Sequence, residues 1–334
     1  MSDSSVLAPS GLGWGILGPG GIAKSFVTDL IEGGRSVAAV GSRSQDSADA
    51  FAAQFSIERA HSGYEQLVAD PSVDIVYIAT PNPFHHEQAL LAIAAGKHVL
   101  IEKPVALNAS QAREIFEAAA AAGVVAMEAM WTRFLPHMSE IRQRISDGVL
   151  GELSTVHADL SMKLSADPKH RINNPDLGGG ALLDLGVYPI SLALHFLGAP
   201  SRVLASGILG ATGVDERVSL ILEHAAGTQS VVTAASQVKG ASRAMIAGTD
   251  ARIELGNRWH GPTSFSVIDA DDNLIEEVAV PHRGRGMLYQ ALEVERLVRT
   301  GGGQSEIMSN ADSIDVMETL DAARAQFGLR FPGE

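Results

Sequence analysis

Apolar and polar positions alternate in two different ways along the chain. Over about the first 130 residues, short β-branched apolar runs are separated by longer, alanine-rich amphipathic runs. The apolar runs predict buried strands at 12–17, 37–40, 73–79, 98–101 and 124–128. The amphipathic runs predict helices at 22–32, 47–55, 84–95 and 110–122. This order of strands and helices is typical of βαβ units around a parallel sheet.

Beyond residue 131 the alternating runs become longer and fewer helices separate them. Strands are predicted at 154–162, 203–208, 217–224, 228–236, 242–247, 263–269 and 274–280. Turn residues at 226–227 and 271–273 indicate hairpins, so most of this sheet is expected to be antiparallel. Helices are predicted at 135–147, 287–299 and 312–327. We therefore predict an α/β chain: a doubly wound parallel sheet in a domain over 1–130, and an α+β domain with a large, mostly antiparallel open sheet over 131–334.

The composition narrows the class of protein. The chain has 334 residues, a hydrophobic fraction of 46% and a formal net charge of −14. An apolar fraction this high excludes a mainly disordered chain, and two domains are expected at this length. The negative charge, with no basic run to offset it, disfavours nucleic-acid binding because phosphates would be repelled. The chain has no cysteine, which excludes disulfides and thiol chemistry.

The sequence predicts neither a membrane span nor a secretory signal. The apolar run at 118–127 is well short of the ~20 residues that a span needs. Residues 1–9 contain neither a basic segment nor an apolar core. We therefore expect a cytoplasmic protein without a membrane partner.

A glycine-rich segment directly follows the first predicted strand and opens the first predicted helix. The segment Gly18-Pro19-Gly20-Gly21-Ile22-Ala23 fits the pattern G-x-G-x-x-A. Gly18 permits a tight turn, Gly20 lets the backbone approach a pyrophosphate, and Ala23 lets helix and strand pack closely. The alternative is a structural turn that binds nothing. Because strand, turn and helix follow in the right order, we predict a dinucleotide site that contains Gly18, Gly20, Gly21 and Ile22.

The end of the second strand indicates which dinucleotide is bound. An NAD site usually places an acid here to bond the ribose hydroxyls, but no acid occurs between Ser36 and Gln45. Arg43 can instead clamp a 2′-phosphate, and Ser42 and its neighbour Ser44 can donate to it. The alternative is an ordinary exposed arginine in a loop. We predict NADP as the cofactor, with NAD as the second choice.

Several further segments resemble the Gfo/Idh/MocA oxidoreductase family, and the likeness covers nearly the whole chain. They are Ala79-Thr80-Pro81-Asn82 with His85, Glu102-Lys103-Pro104, and the run 178–188 that ends in Tyr188. The segment 127–134 is most similar to the branch that contains dimeric dihydrodiol dehydrogenases and NADP-dependent xylose dehydrogenases. Many members of the family have His where this chain has Tyr188, whereas the dihydrodiol branch has Tyr. This difference argues against an inositol dehydrogenase activity.

The resemblance implies an N-terminal Rossmann domain, a second domain with an open sheet, and hydride transfer without a metal. It also implies that the chain forms a homo-oligomer, a dimer or tetramer, through that open sheet. The matching positions expected to contribute to the cofactor site are Thr80, Asn82, His85, Glu102 and Lys103. For His85, a simple role at the start of a helix is the alternative.

Tyr188 is the predicted proton acceptor for the oxidation of an alcohol. The ordinary pKa of a tyrosine, ~10, is too high for this role, but a cation within ~4–6 Å can lower it by ~1–3 units. Lys103, at the carboxyl end of a strand, is the candidate cation. Asp184 lies four residues before Tyr188 and would share its face of a helix, where it could orient Lys103 or bind a substrate hydroxyl. Pro189 predicts a kink or a first-turn position at this point.

Other polar residues have competing interpretations. Trp131 and Arg133, just beyond a strand, are predicted to line the substrate pocket, with packing between domains as the alternative. His170 and Arg171 could reach substrate from a loop, but a solvated charge pair is the simpler interpretation. His85, His86 and Glu87 do not form a zinc motif, so no metal site is predicted.

The leading hypothesis is an NADP-dependent dehydrogenase of a sugar or a cyclic diol, in which Lys103, Tyr188 and Asp184 act on a small polyhydroxylated substrate. A second hypothesis is the physiological reduction of a ketose, an osone or another carbonyl compound by the same residues. The third is a regulatory protein that senses nicotinamide nucleotides without catalysis. The presence of both Lys103 and Tyr188 favours an enzyme.

Overall fold

The computed structural model describes residues 11–332 and 334, and the chain divides into two compact units. Leu107–Ala109, Thr132–His282 and residues 311–334 form the second unit. The first unit contains the rest of the described chain, including Arg283–Asn310.

The first unit contains a parallel sheet whose strands alternate with helices. Its strands are β1 Gly13–Leu17, β2 Ser36–Ser42, β3 Arg59–Ser62, β4 Ile75–Ile78, β5 His98–Glu102 and β6 Ala126–Ala129. The helices that follow the first five strands are α1 Gly21–Glu32, α2 Gln45–Phe55, α3 Tyr64–Ala69, α4 His85–Ala94 and α5 Ala109–Ala122. The strands pair in the order β3-β2-β1-β4-β5-β6, which is the doubly wound order with its switch point between β1 and β4. Ligands of such sheets bind outside the carboxyl ends of the strands, beside this switch point.

The second unit contains an open sheet in which side chains alternate between a buried and an exposed face. Its elements are α6 Pro136–Ser146, β7 Leu153–Ser161, α7 Val187–Leu197, β8 Arg202–Leu209, β9 Asp215–Glu223, β10 Gln229–Ala235, β11 Ala244–Gly248, β12 Ala251–Leu255, β13 Phe265–Asp269 and β14 Leu274–Val278. The strand order is β14-β13-β12-β11-β7-β10-β9-β8, and β7–β10 is the only parallel pair between the described strands of this second sheet. Two helices close the chain, α8 Leu288–Arg299 in the first unit and α9 Asn310–Gln326 largely in the second.

The predicted fold class is confirmed, with short elements that the sequence did not reveal. The strand β3 has the sequence Arg-Ala-His-Ser, and the strand β12 has the sequence Ala-Arg-Ile-Glu-Leu. Because both are short and contain charged or polar residues, neither forms a clear apolar run. The hairpins expected at 226–227 and 271–273 join β9 to β10 and β13 to β14.

The chain passes from the first unit to the second after Trp131, one residue from the expected boundary, but it returns to the first unit over Arg283–Asn310, which contains α8. The carboxylate of Glu295 on this helix is fully buried, forms an ion pair with Arg35 in which Oε2 lies 3.0 Å from Nε, and accepts the indole N–H of Trp14 at 3.0 Å. Asp29 on α1 accepts the backbone N–H groups of Arg285 and Met287 at 2.9 and 2.7 Å. These long-range polar contacts are not visible as a local pattern, which is why the sequence placed this helix with its neighbours in the chain.

One helical stretch among the described residues, Pro175–Leu197, is long and apolar enough by composition to cross a membrane. In this structure 78% of its most apolar window is buried inside the protein. Its apolar side chains therefore form part of the core.

Candidate active site

The glycine-rich turn after β1 closes tightly against the neighbouring strand end. Gly18 has a φ of +92°, and a Cβ there would lie 2.7 Å from Cγ2 of Thr80. Its N–H donates to the carbonyl of Gly41 at 3.1 Å, which ties the turn to the end of β2. A residue with a side chain would strain the backbone and displace Thr80, so glycine is required at this position.

The N-terminus of α1 is open toward this turn. Gly20 is the N-cap and supplies no side-chain oxygen to the first amides, and no acidic side chain lies in the first turn. No atom lies within 4 Å of the position that a Cβ of Gly21 would take, and the half-buried Ile22 follows. The first amides of a helix need acceptors and carry a positive partial charge. A pyrophosphate supplies the oxygen acceptors and the negative charge that these amides favour, so this part of the structure fits a dinucleotide.

The glycine-rich turn and the start of α1, residues 18–22, are called the cradle below. A cleft of about 430 Å³ lies beside the cradle in the first unit, and its lining includes Arg43, Tyr64, Thr80 and Phe84. Burial raises the pKa of Tyr64, and the exposed Arg43 partly offsets this shift through the positive charge of its guanidinium. The cation is therefore available at the cleft, as a 2′-phosphate would need. Ser42 is buried, and its hydroxyl accepts the N–H of Ser44 at 3.4 Å.

His85 joins two loops of the first unit. Its Nδ1 lies 2.9 Å from the carbonyl of Pro104 and its Nε2 lies 2.8 Å from the carbonyl of Thr80. The ring is 1% exposed, and burial lowers its pKa to about 4. A neutral ring donates to only one of these carbonyls. His85 therefore holds the Thr80 loop and the turn at Pro104 together from the interior, and Asn82 is buried in the same segment.

Lys103 lies in a turn whose backbone is held by two buried carboxylates. Glu102 accepts the N–H of Lys103 at 3.1 Å and also binds the hydroxyl of Tyr77 through a short hydrogen bond. Glu128 on β6 accepts the N–H of Val105 at 3.1 Å. The peptide bond from Lys103 to Pro104 is cis. Glu102 thus holds the backbone of the turn from the interior of the protein, whereas Lys103 itself is half-buried at the carboxyl end of β5.

Asp184 and Tyr188 lie in one helical segment of the second unit. The segment begins with a π-helical turn, Leu182–Gly186, and continues as α7, with Tyr188 and Pro189 in the first turn. The helix is continuous through this point, so Pro189 is not at a helix start as expected, and the irregularity in its place is the π-helical turn directly before α7. A π-helical turn contains an extra residue, which changes the direction of the side chains that follow it, and such turns are frequent at functional sites.

The side chains of this segment have defined neighbours. The carboxylate of Asp184 is 14% exposed and pairs with the guanidinium of Arg171 at 3.0 Å. The ring of Tyr188 is 8% exposed and packs against the ring of His260, with 5.3 Å between the ring centres. The charge pair considered for Arg171 therefore exists, and its partner is the predicted site residue Asp184.

Trp131 and Arg133 follow β6 in a short 3₁₀ turn, Trp131–Phe134, and both are buried. Nε of Arg133 donates to the hydroxyl of Ser191 at 2.9 Å, and its guanidinium pairs with Asp312 at 3.0 Å. The guanidinium of Arg133 is therefore bound by other groups of the second unit, Ser191 and Asp312. A role for Arg133 toward substrate stays a prediction, and these contacts favour packing.

Sequence reasoning missed two residues around the helical segment. Asp215 is fully buried and accepts the N–H of Leu182 at 2.6 Å. His260 contacts Tyr188. Each is separated from the segment by many residues in sequence, so no local motif indicates either of them.

Comparison with known proteins extends these observations. The fold and the cradle define the first unit as a dinucleotide-binding unit of the Rossmann class. Residues 12–130 match the model of an oxidoreductase family with an NAD-binding Rossmann fold, and residues 138–254 match the GFO/IDH/MocA C-terminal domain. The chain belongs to the Gfo/Idh/MocA oxidoreductase family, as its motifs predicted.

Two curated relatives cover nearly the whole chain. A trans-1,2-dihydrobenzene-1,2-diol dehydrogenase of Mus musculus is 34% identical over 337 residues, which are 96% of this chain and 98% of the relative. A D-xylose 1-dehydrogenase (NADP(+)) of Hypocrea jecorina is 33% identical over 368 residues, with coverages of 97% and 94%. The predicted branch of the family is therefore confirmed.

Solved structures agree with this assignment. A 3-ketoreductase from Actinomadura kijaniata, in complex with NADP and TDP-benzene, superposes with a TM-score of 0.84 at 27% identity, over 94% of this chain and 97% of that one. An aldose-aldose oxidoreductase from Caulobacter crescentus complexed with glycerol gives 0.83 at 25% identity, with coverages of 94% and 98%. The chain is thus an oxidoreductase that acts on CH–OH groups with a nicotinamide dinucleotide as cofactor, and the predicted class of enzyme and cofactor are confirmed.

Proposed function

We propose that this protein transfers hydride between NADP and a hydroxyl-bearing carbon of a sugar or cyclic diol, with Tyr188 as acid–base and Lys103 as its cationic partner. The observation that carries the proposal is the position of Lys103. It lies at the carboxyl end of β5, at the same edge of the sheet as the glycine cradle after β1, and its turn is supported by Glu102 and Glu128. The names of the relatives, which act on a diol and on xylose, support the substrate class.

In the proposed reaction, Tyr188, Lys103 and Asp184 each have a separate task. Bound nicotinamide supplies the acceptor or donor of hydride. Tyr188 Oη takes the proton of the substrate hydroxyl in oxidation and returns it in reduction. The task of Lys103 is to favour the phenolate form of that tyrosine through the positive charge of its ammonium group. Asp184 accepts a hydrogen bond from a substrate hydroxyl and orients the substrate.

Substitution of these two groups tests the proposal. Tyr188→Phe and Lys103→Met are each expected to lower kcat by about 10²–10⁴-fold, because an acid–base group contributes rate acceleration of that size. The double variant is expected to lose little more than either single variant, since residues that act as one unit are not additive. Rates are measured with NADP+ and a panel of aldoses and cyclic diols, and with NADPH and the corresponding carbonyl compounds.

Tyr289→Phe is the matched control. It removes a tyrosine hydroxyl on α8 that accepts the N–H of Arg283 at 3.1 Å, and kcat is expected to change by less than about twofold, the effect of one exposed hydrogen bond. Near-wild-type turnover of Tyr188→Phe with a normal melting curve would refute the assignment. If wild type binds NADP but turns over no member of the panel in either direction, the regulatory hypothesis is favoured instead.

We further propose that the protein is cytoplasmic, and that the exposed face of the second unit's sheet joins copies of the chain into a homo-oligomer. Leu204, Ile221 and Val231 lie side by side on β8, β9 and β10, and each is 37–42% exposed. Such an apolar row on a sheet face is typical of a contact surface. Ile221→Glu is expected to shift the particle mass toward the monomer in light scattering. Ile31→Glu, which alters an equally exposed residue of the first unit, is expected to leave it unchanged.

A further inference from the structure

A buried carboxylate lies under the start of the helical segment that contains Asp184 and Tyr188. Asp215, the first residue of β9, is 0% exposed. Its Oδ2 accepts the N–H of Leu182, the first residue of the π-helical turn, at 2.6 Å. This distance is at the short end of the range for an N–H···O hydrogen bond.

The backbone before the helix closes directly on the second oxygen of this carboxylate. Gly180 has a φ of +121°, and a Cβ there would lie 2.2 Å from Oδ1 of Asp215. Within the described residues, Oδ1 is buried and has no hydrogen-bond partner. The glycine run before the helix thus has a structural reason, because only a residue without a side chain fits against Asp215 in this backbone conformation.

Stability alone does not explain a carboxylate at this place. Burial raises the pKa of Asp215 to about 7, and the hydrogen bonds from the backbone only partly offset that effect. An apolar residue of similar size would avoid the cost of burying the charge. What Asp215 supplies instead is an acceptor at a defined point, because the first amides of a helix have no acceptor within the helix.

The position of that acceptor determines how the following residues are directed. Asp184 lies two residues beyond Leu182 and Tyr188 six residues beyond it, so both follow the phase that the first turn adopts. A π-helical turn is less regular than an α-helical one and can relax to the α form, which would rotate both side chains. A fixed hydrogen bond at Leu182 holds the turn in one phase.

We infer that Asp215 is a positioning residue of the active site: by capping the helix at Leu182 it sets the directions of Asp184 and Tyr188. The inference rests on the proposed function of these two residues. Asp215 does not itself touch substrate in this account, because it is fully buried behind the helix start.

Two substitutions of Asp215 separate the acceptor from the charge. Asp215→Ala removes the acceptor, and kcat is expected to fall about 10–100-fold, because a small misplacement of a catalytic group has an effect of that size. Asp215→Asn keeps an oxygen acceptor and loses only the charge, so kcat is expected to stay within about threefold, by the same argument. NADP affinity should be unchanged in both variants, since the cradle belongs to the first unit.

Hydrogen exchange supplies a measurement that does not depend on turnover. In Asp215→Ala the amides of residues 181–186 are expected to exchange at least about 10-fold faster, because the buried hydrogen bond that holds this turn is lost. Gly180→Ala places a Cβ against Oδ1 of Asp215 and so displaces the carboxyl group from Leu182. It should have the same effects on exchange and kcat. This variant decides the matter if Asp215→Ala does not fold.

Asp29→Ala is the control for the loss of a buried carboxylate as such. Asp29 also accepts backbone N–H groups, but it holds the Arg285–Met287 backbone in the first unit, so its loss should lower the melting temperature without changing kcat. The inference is overturned if Asp215→Ala and Gly180→Ala exchange faster at 181–186 but keep wild-type kcat. It is also overturned if their exchange is unchanged. Failure of the proposed function is recognised separately, by full activity of Tyr188→Phe.

Discussion

Two helix starts in this protein meet the same electrostatic demand in opposite ways. The start of α1 has a glycine N-cap, no acidic side chain in its first turn and free space beside Gly21. The helical segment that starts at Leu182 has its first amide satisfied by Asp215, a carboxylate of the protein itself. Both starts carry partial positive charge, so both favour an anion.

The difference between them separates ligand binding from positioning. At α1 the anion must come from a bound ligand, because neither the N-cap Gly20 nor the first turn supplies an acidic side chain. At Leu182 the acceptor is the carboxyl group of Asp215, so the helix start is closed and its geometry does not depend on a ligand. The same physical principle therefore supplies a cofactor site in one unit and a fixed scaffold for Asp184 and Tyr188 in the other.

The largest expected effect comes from making the first helix start resemble the second. Gly20→Asp places a carboxylate at the N-cap of α1, where its φ of −84° accepts any residue. Aspartate is a good N-cap, so the melting temperature should stay the same or rise slightly. NADP affinity should fall by about 10³-fold, or about 4 kcal/mol, because the amides are occupied and the added charge repels the phosphates.

Calorimetric titration with NADP measures this loss. Gly20→Ser is the matched control, because it adds a cap without a charge and should weaken binding much less. Equal losses in both variants would show that space rather than charge determines binding at this turn.

The pH dependence of stability tests the second helix start. The pKa of Asp215 is raised from 3.8 to about 7 in the folded protein. In the unfolded chain the carboxyl group loses its proton near its ordinary pKa, so folding is progressively disfavoured as the pH rises through this interval. The contribution is fully present below pH 4 and is lost as the pH passes about 7.

Asp215→Asn does not titrate, so its stability relative to wild type should increase by about 2 kcal/mol between pH 5 and pH 7. Urea unfolding at a series of pH values measures the difference. A constant difference across this range would mean that Asp215 is ionised throughout, and that its carboxylate is better solvated than its burial indicates.

The smallest effect is expected at the charge pair of Asp184 and Arg171. The guanidinium of Arg171 is 55% exposed, so solvent screens the pair and its contribution is at most about 1 kcal/mol. Arg171→Gln should lower kcat/KM by about 2–5-fold through a less well oriented Asp184, and the effect should shrink at high salt. Steady-state kinetics at two ionic strengths check this, and Arg202→Gln, in a similarly exposed pair with Glu223, is the control.

The features predicted from local patterns agree with the structure. The strand, glycine turn and helix from β1 to α1 are contiguous in sequence, so hydrophobic periodicity and the special conformation of Gly18 are both visible there. The positions of Thr80 and Lys103 at strand ends follow from the same pattern. Short polar strands such as β3 are not visible, because their stability depends on a neighbouring strand rather than on their own residues.

The sequence by itself determined the order of the long apolar strands and helices, the class of fold, the cofactor cradle and the candidate residues Lys103, Asp184 and Tyr188. Only the tertiary structure decided how these residues are supported: by Glu102 and Glu128 at one turn, and by Asp215 at the helix start. The reason is physical. Periodicity and backbone preference act between near neighbours in the chain, whereas buried hydrogen bonds join groups that folding brings together, as Asp215 meets an amide 33 residues away.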